Sequence, residues 1–264
     1  MVAAIRAKAA NRNLRIGLAL GTGSMHGVVH IGILRACERL GFKPDLITGT
    51  SAGAIVGGLW AAGTSTDTLI EMADELGWWQ IASLPGSLQG LASNERLATL
   101  IQHWTKHRRV EQMTIPFGAV ATDVATGRRV VLTSGDLGTV VAASSCVPVV
   151  FEPVLINGVR LVDGGLTEPV PVKTARELGA THVIGVDVQY RPYEAPVGGL
   201  VSIGFQSMQI LVAALTAEQL DEADLSIRLD VHELMGEKPY VKSLVPMGEA
   251  AFRKKWVAIK SWRQ

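Results

Sequence analysis

Ser51 stands in the stretch DLITGTSAGAIVGG, residues 45–58, with a glycine two positions away on either side, Gly49 and Gly53. A serine hydroxyl is a weak nucleophile until a neighbouring base takes its proton. The pattern Gly-x-Ser-x-Gly sets such a serine on a sharp turn from strand to helix, and the glycines remove side chains that would collide with both. The helix N-terminus that follows favours negative charge developing beside it. Ser51 is therefore read as a nucleophile, the alternative being a tight turn with an inert serine. A second glycine loop, LGTGSMHG at 20–27, also joins a strand to a helix. Its backbone N–H groups suit an oxyanion hole facing Ser51. A dinucleotide site is disfavoured. Its fingerprint needs glycine where His26 stands, and an acid closing the second strand, which Asp45 instead opens.

A nucleophile needs a base. The histidines are His26, His30, His103, His107, His182 and His232. An α/β-hydrolase order would require a late one, which leaves His232, at a strand end with no further support. His26 and His30 are four apart on a helix, as are His103 and His107, but the first pair lacks the glutamate of a zinc motif and neither has an obvious third ligand. His30 is read as packed or hydrogen-bonded in the fold, and His103 and His107 as surface residues. Asp163 is the better candidate, because it follows the strand VRLV and precedes Gly164 and Gly165 on a tight turn. Asp123 and Asp187 read as turn-forming or structural.

The elements that must position these groups are short buried strands alternating with helices. LRIGLAL (14–20), DLIT (45–48), FGAVAT (117–122), RVVLT (129–133), VRLVDGG (159–165), HVIGVDV (182–188) and LSIRLDV (225–231) read as strands. GVVHIGILRACERLG (27–41) and AGAIVGGLWAAG (52–63) read as helices, the first stopping at Gly41. A βαβ unit of this kind implies a parallel sheet with a right-handed crossover. The expectation is one α/β domain over 14–264 with a mixed, mainly parallel sheet, preceded by an extension over 1–13, with no repeat and no low-complexity linker.

Composition narrows the class. The 264 residues carry a net charge of +1, so no strong field invites nucleic acid. No apolar run approaches the roughly 20 residues of a membrane-spanning helix. Two cysteines, Cys37 and Cys146, are too few for a disulfide framework and read as small core residues. With no secretory signal evident, the cytoplasm is the expected compartment.

The stretches GTGSMHGVVHIGIL, GTSAG and DGGLTEPVPV resemble, in this order, the three blocks of the patatin-like phospholipases. ATDVATG and AASSCVPVVFEPV are similar to segments of bacterial members. The resemblance covers about Leu18 to Val172 and weakens beyond it. It implies a three-layer α/β/α patatin-like fold and a serine–aspartate dyad without a catalytic histidine. Ser51 would be the nucleophile and Asp163 its base, with backbone groups of Thr22, Gly23 and Ser24 binding the oxyanion. Gly21, His26, Gly27, Gly49, Gly53, Gly164 and Gly165 fall on the motif positions. The implied activity is calcium-independent hydrolysis of lipid acyl esters, with no metal and no cofactor. Three departures stand out: Thr22 and Ser24 interrupt a loop that is richer in glycine in relatives, His26 stands for arginine, and Glu168 stands for asparagine. A free carboxyl titrates near pH 4, too low for an efficient base, and burial beside Gly164 and Gly165 is expected to raise it.

Lipid substrate raises the question of membrane contact. LGWWQIASLPGSLQGLAS (76–93), with Trp78 and Trp79, suits a lid or interfacial surface, or equally a core closure. AAFRKKWVAIKSWRQ (250–264) is a basic amphipathic helix that fits an anionic membrane or, preferably, docks on its own domain. The reading from a different class is a non-catalytic regulatory protein on the same scaffold. Head group, chain length, acyl acceptor and oligomeric state are not specified by these residues.

Overall fold

Residues Ile16–Leu20 are buried at every position, as a strand covered on both faces must be. In the computed structural model, which describes residues 14–75, 94–189, 198–231 and 241–263, this strand (β1) lies in the middle of an eight-stranded sheet. The other strands are β2 (Leu46–Thr50), β3 (Phe117–Asp123), β4 (Arg129–Leu132), β5 (Val154–Ile156), β6 (Val159–Asp163), β7 (His182–Gln189) and β8 (Leu225–Asp230). The order is β5-β6-β3-β2-β1-β7-β8, with β4 also on β3. From β3 through β2, β1 and β7 to β8 every pair is parallel. The pairs β3–β4, β3–β6 and β5–β6 are antiparallel.

Eight α-helices surround the sheet among the described residues: α1 (Val28–Arg39), α2 (Ala52–Ala61), α3 (Thr66–Glu75), α4 (Glu95–Thr105), α5 (Leu137–Ser144), α6 (Val172–Glu177), α7 (Leu200–Asp221) and α8 (Val241–Ser261). The period-2 alternation of the strands divides the core into two layers. Ile16, Leu18 and Leu20 of β1, with Ile184, Val186 and Val188 of β7, belong to the larger cluster, which includes α1, α2, α5 and α8. Ala19 and Val183 point to a smaller cluster with Val172 and Ala175 of α6 and Leu220 of α7. The result is the expected three-layer α/β/α arrangement around a mixed, mainly parallel sheet. Cys37 and Cys146 are free and buried.

The boundaries shift where tertiary contacts decide them. β5, too short to read as a strand, pairs with β6 around Asn157 and Gly158, both at positive φ (50° and 81°), a hairpin turn that the Asn-Gly pair favours. The terminal helix starts at Val241, well before residue 250, and carries Pro246 inside it. A proline there costs helix stability; close contact with α1 supports the segment. A Cβ on Gly32 would lie 2.0 Å from the Val245 carbonyl oxygen, and one on Gly248 2.2 Å from that of Val29, so the two backbones touch. Phe252 and Ile259 are fully buried, and the helix is docked on its own domain. Gly248→Val is therefore expected to force α8 off α1 and destabilise the fold by about 1–3 kcal/mol, as overpacking does. The check is a urea midpoint lower than wild type with an unchanged slope.

Candidate active site

Ser51 follows β2 directly and caps α2 with φ 54° and ψ −119°, a conformation costly for any residue with a side chain. Its surroundings enforce it. A Cβ on Gly53 would sit 2.1 Å from the Leu20 carbonyl oxygen, and one on Gly49 would sit 2.6 Å from Ala54 Cα. The two motif glycines thus let the chain turn directly against β1 and α2. The Ser51 backbone N–H donates to the Ser144 hydroxyl (3.1 Å), which itself donates to the Val120 carbonyl (2.6 Å). Below the turn, the hydroxyls of Thr48 and Thr50 donate to the carbonyls of Pro171 and Glu168, both at 2.8 Å. The nucleophile strand is thereby tied to the segment that follows Asp163.

Asp163 arrives on an antiparallel strand, not at the C-terminal end of a parallel one. Its partner across the ladder is Ala121 of β3, while Thr50 pairs with Val120 of the same strand. Ser51 and Asp163 therefore stand at one level on either side of β3. Gly164 lets the chain leave the sheet there, since a Cβ would lie 2.2 Å from the Val120 carbonyl oxygen. The Asp163 backbone N–H donates to the Cys146 carbonyl (2.8 Å) and its carbonyl accepts from the Thr122 hydroxyl (3.0 Å). Asp163 is 7% exposed, and its carboxyl accepts from the Gly165 N–H at 2.8 Å. Burial raises it to about 6, against the lowering effect of the Gly165 N–H and of the neighbouring Ser51 side chain.

Both side chains open into one cavity of about 450 Å3. Thr22, Gly23 and Ser24 line it too, as do Val147, Asp187 and a row of residues from α7. The glycine loop requires one correction. The Thr22 N–H donates to the Pro169 carbonyl at 2.9 Å, so it is spent within the protein, and the oxyanion candidates reduce to Gly23 and Ser24. Ser24 holds φ 47°, a left-handed value that a glycine would adopt at less cost. The Gly21 N–H is likewise committed, to the Val186 carbonyl at 2.9 Å.

None of the five described histidines lines the cavity. His30 is fully buried and its Nε2–H donates to the Gly21 carbonyl at 2.9 Å, with burial pulling its pKa down to about 4. It is a neutral brace under the glycine loop. His26, 4% exposed, lies in the turn Ser24–Gly27 behind that loop, and burial lowers its pKa. His103 and His107 are on the surface, and His182 stacks near Trp262. His232, residues 76–93 with Trp78 and Trp79, and residues 1–13 lie outside the described residues. Asp123 closes its own turn, accepting from the Ala125 N–H (2.9 Å) and the Thr126 hydroxyl (2.7 Å). Glu168 adds no loose charge beside Asp163. It is buried, pairs with Arg129 at 2.7 Å and accepts from the Thr174 N–H and hydroxyl, while Arg129 also binds Glu177. Ser144 was not singled out in the sequence, because nothing in AASSC marks which serine the nucleophile turn needs.

The displaced titration of Asp163 has a stability cost with a definite sign. Unfolded, the carboxyl titrates near 3.8, and folded near 6. The folded state holds the proton more tightly between these values, so the contribution is fully present below about pH 4 and is lost as pH rises through about 6. Two units correspond to about 3 kcal/mol. Asp163→Asn keeps the shape without the charge. It is expected to unfold at higher urea than wild type at pH 8, the gap closing towards pH 4.

A profile of the patatin-like phospholipases matches residues 18–176, which include both Ser51 and Asp163. An uncharacterised NTE family protein of Mycobacterium tuberculosis is 34% identical over 177 residues, 66% of this chain and 49% of that protein. Neuropathy target esterase sws of Drosophila melanogaster is 29% identical over 181 residues, 66% of this chain and 13% of its own length. Lysophospholipase NTE1 of Cryptococcus neoformans is 33% identical over 186 residues, 66% of this chain and 11% of its length. The chain thus spans about half of the mycobacterial relative and a small part of the eukaryotic ones. VipD of Legionella pneumophila shares the fold, with a TM-score of 0.60 at 13% identity over 93% of this chain and 67% of that one. With more than half of its length matched by the family profile, the glycine loop, the serine turn and the Asp-Gly-Gly turn all inside the match, the chain belongs to the patatin-like phospholipase family.

Proposed function

We propose that this chain is a serine acyl hydrolase that cleaves carboxylic esters of lipids by a Ser51–Asp163 dyad. The observation that carries the proposal is the placement of Ser51 and a buried Asp163 at one level on either side of β3, both opening into the same cavity, with the carboxyl raised by burial to about 6. At neutral pH that carboxyl is mostly ionised and is a better base than a solvated one. Asp163 takes the Ser51 proton as the oxygen attacks the acyl carbonyl. The oxyanion formed is met by N–H groups of the Gly23–Ser24 loop. Asp163 then returns the proton to the departing alkoxide, leaving an acyl ester on Ser51. Water, deprotonated by the same carboxyl, then attacks the acyl carbon, and Asp163 returns that proton to the departing Ser51 oxygen as the fatty acid leaves. The lysophospholipase names of the fungal relatives and the α7 side chains in the cavity wall support a lipid acyl group as substrate.

Ser51→Ala and Asp163→Asn are each expected to lower kcat on a p-nitrophenyl acyl ester by at least about a thousandfold, and the double variant no further, because the two groups act as one unit. A fluorophosphonate probe should label wild type and not Ser51→Ala. Full activity in Asp163→Asn would refute the dyad.

The carboxylate is the active form of the base. The wild-type kcat/KM should therefore rise with pH through about 6 and level off above it. Each proton transfer is assigned to a side chain, so the same activity is expected to survive EDTA.

A further inference from the structure

From Gly198 to Ala217 the chain carries no charged residue, although 19% of the whole sequence is charged. Nearly all of this stretch is α7, a helix on the protein surface. A surface helix ordinarily keeps a polar outer face. Here the inner face, with Phe205, Met208 and Val212, lines the cavity that holds Ser51 and Asp163. The outer face exposes Ile203 (50%), Ile210 (48%) and Leu211 (66%), spaced i, i+7 and i+8 along one side. Ile210, Ala213 and Ala214 are both solvent-exposed and part of the cavity wall, so they form its lip. Apolar side chains therefore run from the cavity, over the lip, to the outside of the helix, interspersed with uncharged polar ones, Gln209 in the wall and Ser207 on the exposed face. A further exposed apolar side chain, Val149 (56%), stands two residues from Val147 of the cavity wall and holds φ 72°, a strained value for a β-branched residue.

The far end of α7 is fixed. Leu220 is buried, and the Gln219 amide bridges the Thr167 carbonyl and the Val170 N–H at 3.0 and 3.2 Å, in the loop after Asp163. The exposed apolar half projects from this anchor. Among the described residues no helix is long and apolar enough to cross a membrane.

We propose that the outer face of α7 is the surface by which this protein docks on lipid, delivering acyl chains over the Ile210 lip into the cavity. The inference rests on the acyl-hydrolase reading for its substrate. Leaving a bilayer costs an acyl chain about 0.8 kcal/mol for each methylene that meets water. A helix apolar on both faces, laid on the bilayer, removes that aqueous gap. The absence of charge matches zwitterionic as well as anionic lipid and makes docking insensitive to salt. A second copy of the chain suits the face less well, since it would cover the lip that substrate must cross.

The test uses Ile203→Glu/Leu211→Glu, two residues outside the cavity wall, in both the wild-type and Ser51→Ala backgrounds. The probe is vesicles of pure phosphatidylcholine. The Ser51→Ala protein is expected to co-sediment with them equally at 0.1 and 1 M NaCl, and the double substitution to weaken binding at least tenfold. In the active background, hydrolysis of a vesicle-borne lipid should fall at least tenfold while a water-soluble short-chain ester is cleaved at the wild-type rate. A melting temperature close to wild type confirms that the variant is folded. Undiminished vesicle binding by the variant would overturn the proposal. So would no binding by the parent, or a parent dimer that the substitutions make monomeric. Vesicle binding without esterase activity would instead leave α7 as a lipid surface and overturn the hydrolase reading, so the two failures are distinguishable.

Discussion

A carboxyl group kept out of water is the constraint around which this molecule is arranged. Asp163 is buried where its charge is unfavourable, and its few compensations come from the Gly165 N–H and the neighbouring Ser51 side chain. Burial raises its pKa to about 6, and among the described residues no salt bridge reaches it. The ionic cluster of Arg129 with Glu168 and Glu177 is closed on itself. A basic side chain beside Asp163 would stabilise the carboxylate and lower its pKa, weakening it as the base in the proposed dyad.

The nucleophile's strained turn depends on the same region. Hydroxyl groups with no chemistry of their own hold it: Thr48 and Thr50 from β2, Thr122 from β3 and Ser144 from α5. Each donates to a backbone carbonyl, that of Pro171 also accepting from the Ala175 N–H at 3.1 Å. Because three of these bonds end on the chain between Asp163 and Pro171, the serine turn and the acid turn are braced against each other. The Thr22 N–H makes the same kind of link from the glycine loop to Pro169. Its use as a brace is the reason it is lost as an oxyanion donor.

Much of this was legible from residue order alone. β1, β2, β3 and β7 are buried on both faces and therefore read as largely apolar runs bounded by turns. The turns that carry Ser51 and Asp163 were legible because glycine is required on both by backbone-to-backbone approaches, and those leave a local signature. What was not legible depends on partners distant in sequence. Ser144 is one serine among two neighbours until β3 stands beside it. Helix α8 looks interrupted at Pro246 until α1 supplies Gly32 for Gly248 to meet. The antiparallel direction of β6 follows from the β5–β6 hairpin, whose first strand is three residues long. Helix α7, apolar on both faces, has no period by which one side could be told from the other.

The insertion of β6 against β3 has a consequence for how the protein comes into being. Ser51 and its turn belong to the first parallel unit, β1 to β2 to β3, while the carboxyl is synthesised about 110 residues later and reaches the site only when an antiparallel strand adds to the far edge of that unit. A growing chain that has folded through β3 carries an exposed serine with no acceptor for its proton. On the proposed mechanism, the dyad is thus complete only with the last long-range pairing on that side of the sheet. Parallel strands and distant pairings form slowly because loop closure must precede the contacts that reward it. On the same proposal, this topology would leave an immature chain inactive towards lipid esters.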